Sequence, residues 1–337
     1  MALAEAPPYE EQDARAPERW RPRGADTAAR LRSWSEILAA THLAFDIRPT
    51  FRTPTRFQAA VTRRPIGDLM LVDCAASPFL GHRSAALIGG PEAPHENILG
   101  FQFVGKGVEL VREGHRELAL KSGDVVLWDG LKPTEIEIAE PFYKRTLLFP
   151  RDRVLAVCPR LAALDSLPSL EGSASARLLV RFMNALAAEL PRLDSTSGAA
   201  AANAALELLR AAVEPALPSD RAAVRSAMRA EISRYVRTHL QDPQLGPATI
   251  ARAYAMSVRT LHALFEDVDE SVAGLVRTER LARCLEDLHQ PNGGSVTDIA
   301  FRWGFCDAAH FSRVFKREFG ATPSEVRQAA VSAASAA

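Results

Sequence analysis

Two stretches of this 337-residue chain place basic and hydrogen-bonding side chains together on one helical face. In SVTDIAFRWGFCDAAHFSRVFKREF (295–319), Phe311, Val314, Phe315 and Phe319 recur at helical spacing and turn inward, leaving His310, Ser312, Arg313, Lys316 and Arg317 outward. In LGPATIARAYAMSVRTLHALFE (245–266), Leu261, Leu264 and Phe265 turn inward and leave Arg259, His262 and Ala263 outward. Guanidinium and ammonium groups hold phosphate oxygens, and the same donors reach base edges. Taken singly, each stretch is equally compatible with a helical hairpin that shows a basic face to solvent.

The elements carrying these faces repeat one design. Ser295 is a good N-cap with an acid, Asp298, in the first turn, and Val296, Ile299, Ala300 and Trp303 form an apolar stripe. Gly304 permits a turn and Asp307 caps the next helix. Upstream, Ile250, Ala251 and Tyr254 line a first helix, the chain turns through Ala255 and Met256, and Ser257 caps a second. A short apolar helix, a turn and a polar-faced helix make a helix-turn-helix, and two such units in one chain are hard to explain as chance hairpins. Between them SVAGLVRTERLARCLEDLH reads as one helix. About 18 helical residues span about 27 Å. Successive major-groove faces of a duplex lie about 34 Å apart, so a rigid pair could enter adjacent grooves with modest DNA bending.

The first half has another period. From 56 to 150, short apolar runs (FQAAV, LMLVDCA, ILGFQFVG, GVELVRE, TEIEIAE, KRTLLFP) alternate with Gly, Pro and Asp turns, as in an antiparallel sandwich or barrel of the jelly-roll type. Hairpin signals at Glu113-Gly114-His115 and Lys121-Ser122-Gly123-Asp124 are those of a cupin-like barrel. The histidines before residue 150 (His42, His82, His95, His115) form no HxH pair, so neither metal nor cofactor is expected and a cupin enzyme is disfavoured. A small organic effector in the barrel mouth is the alternative, with Phe101, Phe103, Trp128, Phe142 and Tyr143 as lining groups and Arg83, Lys132 or Arg145 as anchors for an acid. A barrel serving only dimerisation or protein contact stays open beside it.

The domain plan follows. Residues 1–32 are expected to be a disordered tail, 33–150 the barrel, 151–217 helices that pack on it or pair with a second copy, 218–224 a linker, 225–328 the helical domain and 329–337 a flexible tail. The fold class is α+β: a cupin-like antiparallel β-barrel with helices, then an all-α domain of two helix-turn-helix units joined by a linker helix. Lys+Arg and Asp+Glu stand at 41 each, so net charge identifies no partner. Four scattered cysteines without metal or redox spacing suit a reducing cytoplasm, and no apolar run is long enough to span a membrane.

The runs ATIARAYAMSVRTLHALF, RTERLARC and DIAFRWGFCDAAHFSRVFKREFGATPSEVR resemble the C-terminal domain of the AraC/XylS family of bacterial transcription regulators. The resemblance covers residues 228–328 and is specific, because GFxDxxHFSRxFKxxFGxTPxxxR matches throughout; residues 55–150 are more weakly similar to the family's sensory domain. It implies promoter DNA and RNA polymerase as partners, effector control, and a homodimer formed through the N-terminal half. The DNA-contacting positions it implies are Ser257, Arg259, Thr260, His262 and Ala263, then Asp307, Ala308, Ala309, His310, Ser312, Arg313, Lys316 and Arg317. Two departures matter. Glu266, Asp267, Asp269 and Glu270 follow the first recognition helix where basic residues are usual, and acids facing phosphates would repel. Ala308 and Ala309 offer base edges only methyl contact. Direct readout therefore falls to Arg259 and His262, with Arg313 on a base or phosphate and Lys316 and Arg317 on the backbone. Arg259→Ala should relax specificity at one base pair by about 1–3 kcal/mol, measured by binding to single-position operator variants. An equal loss on all sequences would show a phosphate contact instead.

Overall fold

A computed structural model describes residues 17–88, 97–164, 169–217, 219–290 and 294–335. The expectations for residues 1–16, His95, Pro218 and the last two residues lie outside these. The chain divides into two compact units, one of residues 1–158 and 165–217, the other of Pro159–Leu164 and 218–337.

The first unit opens with β1 (Glu18–Trp20) and α1 (Thr27–Thr41), so ordered elements occupy part of the stretch expected to be a tail up to residue 32. β1 pairs with β3, and Asp26 caps α1 by accepting from Ala29 N. Then come β2 (Asp46–Arg48), β3 (Ala59–Ile66), β4 (Leu69–Ala76), β5 (Phe79–Arg83), β6 (Ile98–Lys106), β7 (Val108–Glu113), β8 (Arg116–Lys121), β9 (Val125–Asp129), β10 (Thr134–Ile138) and β11 (Phe142–Pro150). They form two antiparallel sheets, ordered β1-β3-β4-β11-β6-β9 and β2-β5-β10-β7-β8. Each sheet ends on two edge strands. The N-terminal half is therefore an open two-sheet arrangement and not the closed cupin-like barrel that the strand spacing suggested.

The two turn signals explain why sequence misleads here. Glu113-Gly114-His115 does close a hairpin, β7 with β8, with Gly114 in the left-handed region at φ 59°. Lys121–Asp124 closes none: β8 pairs with β7 in one sheet, while β9 pairs with β6 in the other. Gly123 at φ 99° and Asp124, whose carboxylate accepts from Lys121 N at 2.7 Å, turn the chain from one sheet to the next. Trp34 of α1 packs against Phe57 and Phe79 with ring centroids 6.3 and 6.4 Å away, all three buried. Helices α2 (Arg151–Val157), α3 (Ala174–Glu189) and α4 (Ser195–Val213) follow. The apolar stripe of α4 (Ala202, Ala205, Leu206, Leu209, Val213) is buried inside this unit, where α4 packs on α2, α3 and β3.

The second unit is all-α: α5 (Arg221–Thr238), α6 (Pro247–Ala253), α7 (Val258–Leu264), α8 (Val272–His289), α9 (Val296–Arg302), α10 (Ala308–Phe319) and α11 (Pro323–Ser335). Thus α5 begins inside the stretch expected to be a linker, and α11 runs on through most of the expected tail. Ser257, Ser271, Ser295 and Asp307 cap their helices, and Ser295 with Asp298 makes a full capping box. Leu281, Cys284, Leu288, Ile299, Ala300, Phe311, Val314 and Phe315 build one core. Phe319, expected inward, is 36% exposed and rests on Phe315 with centroids 4.6 Å apart.

The two inter-helix turns differ in strain. Gly304 turns α9 into α10 at φ 78°, and a Cβ there would come within 2.6 Å of Arg280 Nη2 and 2.9 Å of Leu240 O. Ala255 makes the equivalent turn between α6 and α7 at φ 47°, a region that costs a non-glycine residue about 1–2 kcal/mol. Gly304→Ala should destabilise by about 2 kcal/mol or more in urea unfolding, whereas Ala255→Gly should be neutral or stabilise by up to about 1 kcal/mol.

Candidate nucleic-acid interface and effector cavity

The helix-turn-helix units present their faces much as the sequence orders them. Arg259, Thr260, His262 and Ala263 of α7 are exposed, as are Ala309, His310, Arg313, Lys316 and Arg317 of α10; Ala308 and Ser312 are half-buried. Ser257, Asp307 and Ser312 spend hydrogen-bonding capacity within their own helices. Ser257 Oγ accepts from Thr260 N at 3.0 Å, Asp307 from Ala309 N at 2.8 Å, and Ser312 Oγ donates to Ala308 O at 2.9 Å. The amides of Ala309 and His310 hold the Asp307 carboxyl below the ordinary carboxylate range, so this cap stays ionised.

Cations sort into tied and free. Arg225, Arg237, Arg283 and Arg302 are engaged by Asp267, Glu279, Glu286 and Asp287. Arg259, Arg313, Lys316 and Arg317 form no ion pair among the described residues, which leaves them available to phosphates and bases. The acidic run is partly answered as well. Asp267 sits 3.0 Å from Arg225 and 3.2 Å from Arg229, and the hydrogen bond from Arg225 leads in lowering its pKa.

In the first unit the two sheets enclose a cavity of about 80 Å³, lined by aliphatic side chains, by Phe45, Phe79, Trp128 and Phe142, and by a polar group on one wall. Lys144 Nζ donates to Glu109 Oε1 at 2.9 Å, and Gln102 Nε2 donates to Glu109 Oε2. Glu109 is 1% exposed at its side chain. The Cys74 thiol, also on the wall, is pushed up to about 12 by burial and stays protonated. Trp128 lies over Gly100, where a Cβ would fall 2.1 Å from the ring.

Of the residues expected to line an effector site, the cavity takes Trp128 and Phe142. Arg83 is buried in a structural role, its Nη1 donating to Ala44 O at 2.9 Å and its Nη2 to Gly130 O at 3.0 Å. Phe101 and Phe103 occupy the face of β6 opposite Gln102, and Lys132 is absent from the lining. Tyr143 and Arg145 likewise stand opposite Lys144 on β11 and converge on Asp73, at 2.9 Å from Tyr143 Oη and 2.6 Å from Arg145 Nε. Burial alone would raise the Asp73 carboxyl, but hydrogen bonds from Arg145 and Arg64 hold it below its ordinary value. Arg145 Nη1 also reaches Asn184 Oδ1 of α3 at 2.9 Å. Sequence reading passed over Lys144, Glu109 and Gln102; the alternation of β11 set Phe142 and Lys144 on one face and Tyr143 and Arg145 on the other without marking which face meets the cavity. Among the described residues no cluster of three His, Cys, Asp or Glu is placed to hold a metal, and no helix is long and apolar enough to cross a membrane.

Comparison with known proteins agrees with both halves. An AraC-binding-like domain matches residues 34–214, more than half of the chain, and a helix-turn-helix domain matches residues 250–329. The transcriptional activator NphR of Rhodococcus sp. is 28% identical over 316 residues, covering 91% of this chain and 92% of that protein. The HTH-type transcriptional activator RhaS of Escherichia fergusonii is 41% identical over 80 residues, 23% of this chain and 28% of that protein. The crystal structure of the AraC-like transcriptional activator CuxR shares the fold, with TM-score 0.51 and 19% identity over 83% of this chain and 98% of that one. The chain belongs to the AraC/XylS family: it is a sequence-specific DNA-binding transcription regulator with an N-terminal domain of the effector-binding type.

The Lys144–Glu109 pair invites a direct test. Removing one partner of a buried pair strands the other, at a cost of about 3–5 kcal/mol, while removing both is often near neutral. Lys144→Met should therefore lower stability strongly in thermal or urea unfolding, and Lys144→Met with Glu109→Gln should recover much of the loss.

Proposed function

We propose that this regulator is an effector-responsive transcription activator that works in the cytoplasm as a homodimer. A small organic molecule occupies the inter-sheet cavity, α7 and α10 insert into successive major grooves of promoter DNA, and the DNA-bound protein contacts RNA polymerase. Arg259 and His262 read bases, Arg313 reads a base or holds phosphate, and Lys316 and Arg317 position the backbone. The observation that carries the effector reading is the largely apolar cavity between the sheets with a buried ionic group on one wall, the form expected of a small-molecule site. The names of NphR and RhaS, both activators, support activation over repression. Homodimerisation rests on family resemblance, and sedimentation equilibrium measures it.

Footprinting of captured genomic fragments tests the DNA mode. Protection should span two half-elements about one helical turn, about 34 Å, apart on one face. Protection confined to one half-turn would contradict insertion of both helices. An effector acts only by binding two states unequally, so operator affinity should change when the effector is present. Constant affinity across a broad panel of small organic compounds would remove the effector from the scheme.

A further inference from the structure

The chemistry of the effector can be narrowed from His42, which follows α1, lines the cavity and is 6% exposed. Its Nδ1 lies 2.9 Å from Thr41 Oγ1, and that hydroxyl donates its single hydrogen to Ile37 O at 2.7 Å. Toward His42 the hydroxyl can therefore only accept, which places the imidazole proton on Nδ1. Burial, reinforced by Lys144 and Arg63, brings the His42 pKa down to about 3, so the ring is neutral. A neutral ring protonated on Nδ1 has a bare lone pair on Nε2. That atom is buried and has no hydrogen-bond partner among the described residues, an arrangement that favours any ligand able to supply a donor.

The charges on the cavity wall are already answered. Lys144 pairs with Glu109 and Asp129 accepts from Arg151 Nη1 at 2.7 Å, while burial raises the Glu113 carboxyl above its ordinary value despite the nearby Lys132 and Arg116. Among the described residues, both lining cations, Lys144 and Arg116, already have partners, which leaves neither to hold a carboxylate. A cavity of about 80 Å³ is smaller than the roughly 150 Å³ that admits benzene in an engineered protein core, which limits the ligand to about one ring with some adjustment of the walls.

Resting on the reading of this cavity as the effector site, we propose that it takes a small uncharged ligand with an apolar body and one hydroxyl, whose O–H donates to His42 Nε2. Phenol, toluene and benzoate share a ring and differ only in the group offered to His42. In calorimetric titration of the full-length protein, phenol should bind, with toluene and benzoate each roughly tenfold weaker or more. His42→Phe should bring phenol down to the level of toluene, and His42→Gln, which keeps an acceptor, should restore part of the difference. Equal binding of phenol and toluene, preference for benzoate, or undiminished phenol binding by His42→Phe would overturn the proposal while leaving the cavity as a ligand site. Absence of any heat or thermal shift with all three probes would overturn the site together with the proposal.

Discussion

The DNA-binding half depends on one buried guanidinium. Arg280, on the helix between the two helix-turn-helix units, donates from Nε to Leu240 O at 3.0 Å and from Nη2 to Asp242 O at 2.5 Å. Those carbonyls lie just ahead of the first unit, while Gly304, at the turn of the second, packs directly against the guanidinium. One side chain thus fastens elements of both units to the helix that separates them. Burial lowers the pKa of Arg280, so the charge is held at a cost that its two carbonyl partners offset. Helix α8 thus spans the stretch between the two units with elements of both fastened to one of its side chains.

The N-terminal unit is governed by the parity of a single strand. Along β11, Lys144 turns to the cavity and Arg145 turns to Asp73 and to Asn184 of α3. The register sets Lys144 opposite Cys74 and Arg145 opposite Asp73 on β4, so two neighbouring strands divide their polar residues between the same two faces.

These contrasts explain what the sequence could and could not reveal. Helical periodicity and caps are local, so Ser257 and Asp307 marked the starts of α7 and α10, Ser295 with Asp298 marked that of α9, and the exposed faces followed. The sheet half depends on pairings between distant residues. A turn such as Lys121–Asp124 reads the same whether the chain folds back on its neighbour or crosses to the other sheet, which is why an open pair of sheets looked like a barrel. Both faces of the central strands are covered, so alternation could not say which parity faces the cavity. Tyr143 and Arg145 were chosen over Lys144 for that reason, and Phe101 and Phe103 over Gln102. The pairing of Asp267 with Arg225 was equally hidden, because it joins side chains 42 positions apart.

The contact between Gly100 and Trp128 shapes one wall of the cavity. The indole occupies the space that a side chain at position 100 would fill, so even a methyl group there would drive the ring away from the strand. The capacity of the cavity is thus governed by a residue with no side chain. Scanning mutagenesis that trims each position to alanine would add atoms at this one, and would register as lost side-chain function what is in fact displacement of an indole on the cavity wall.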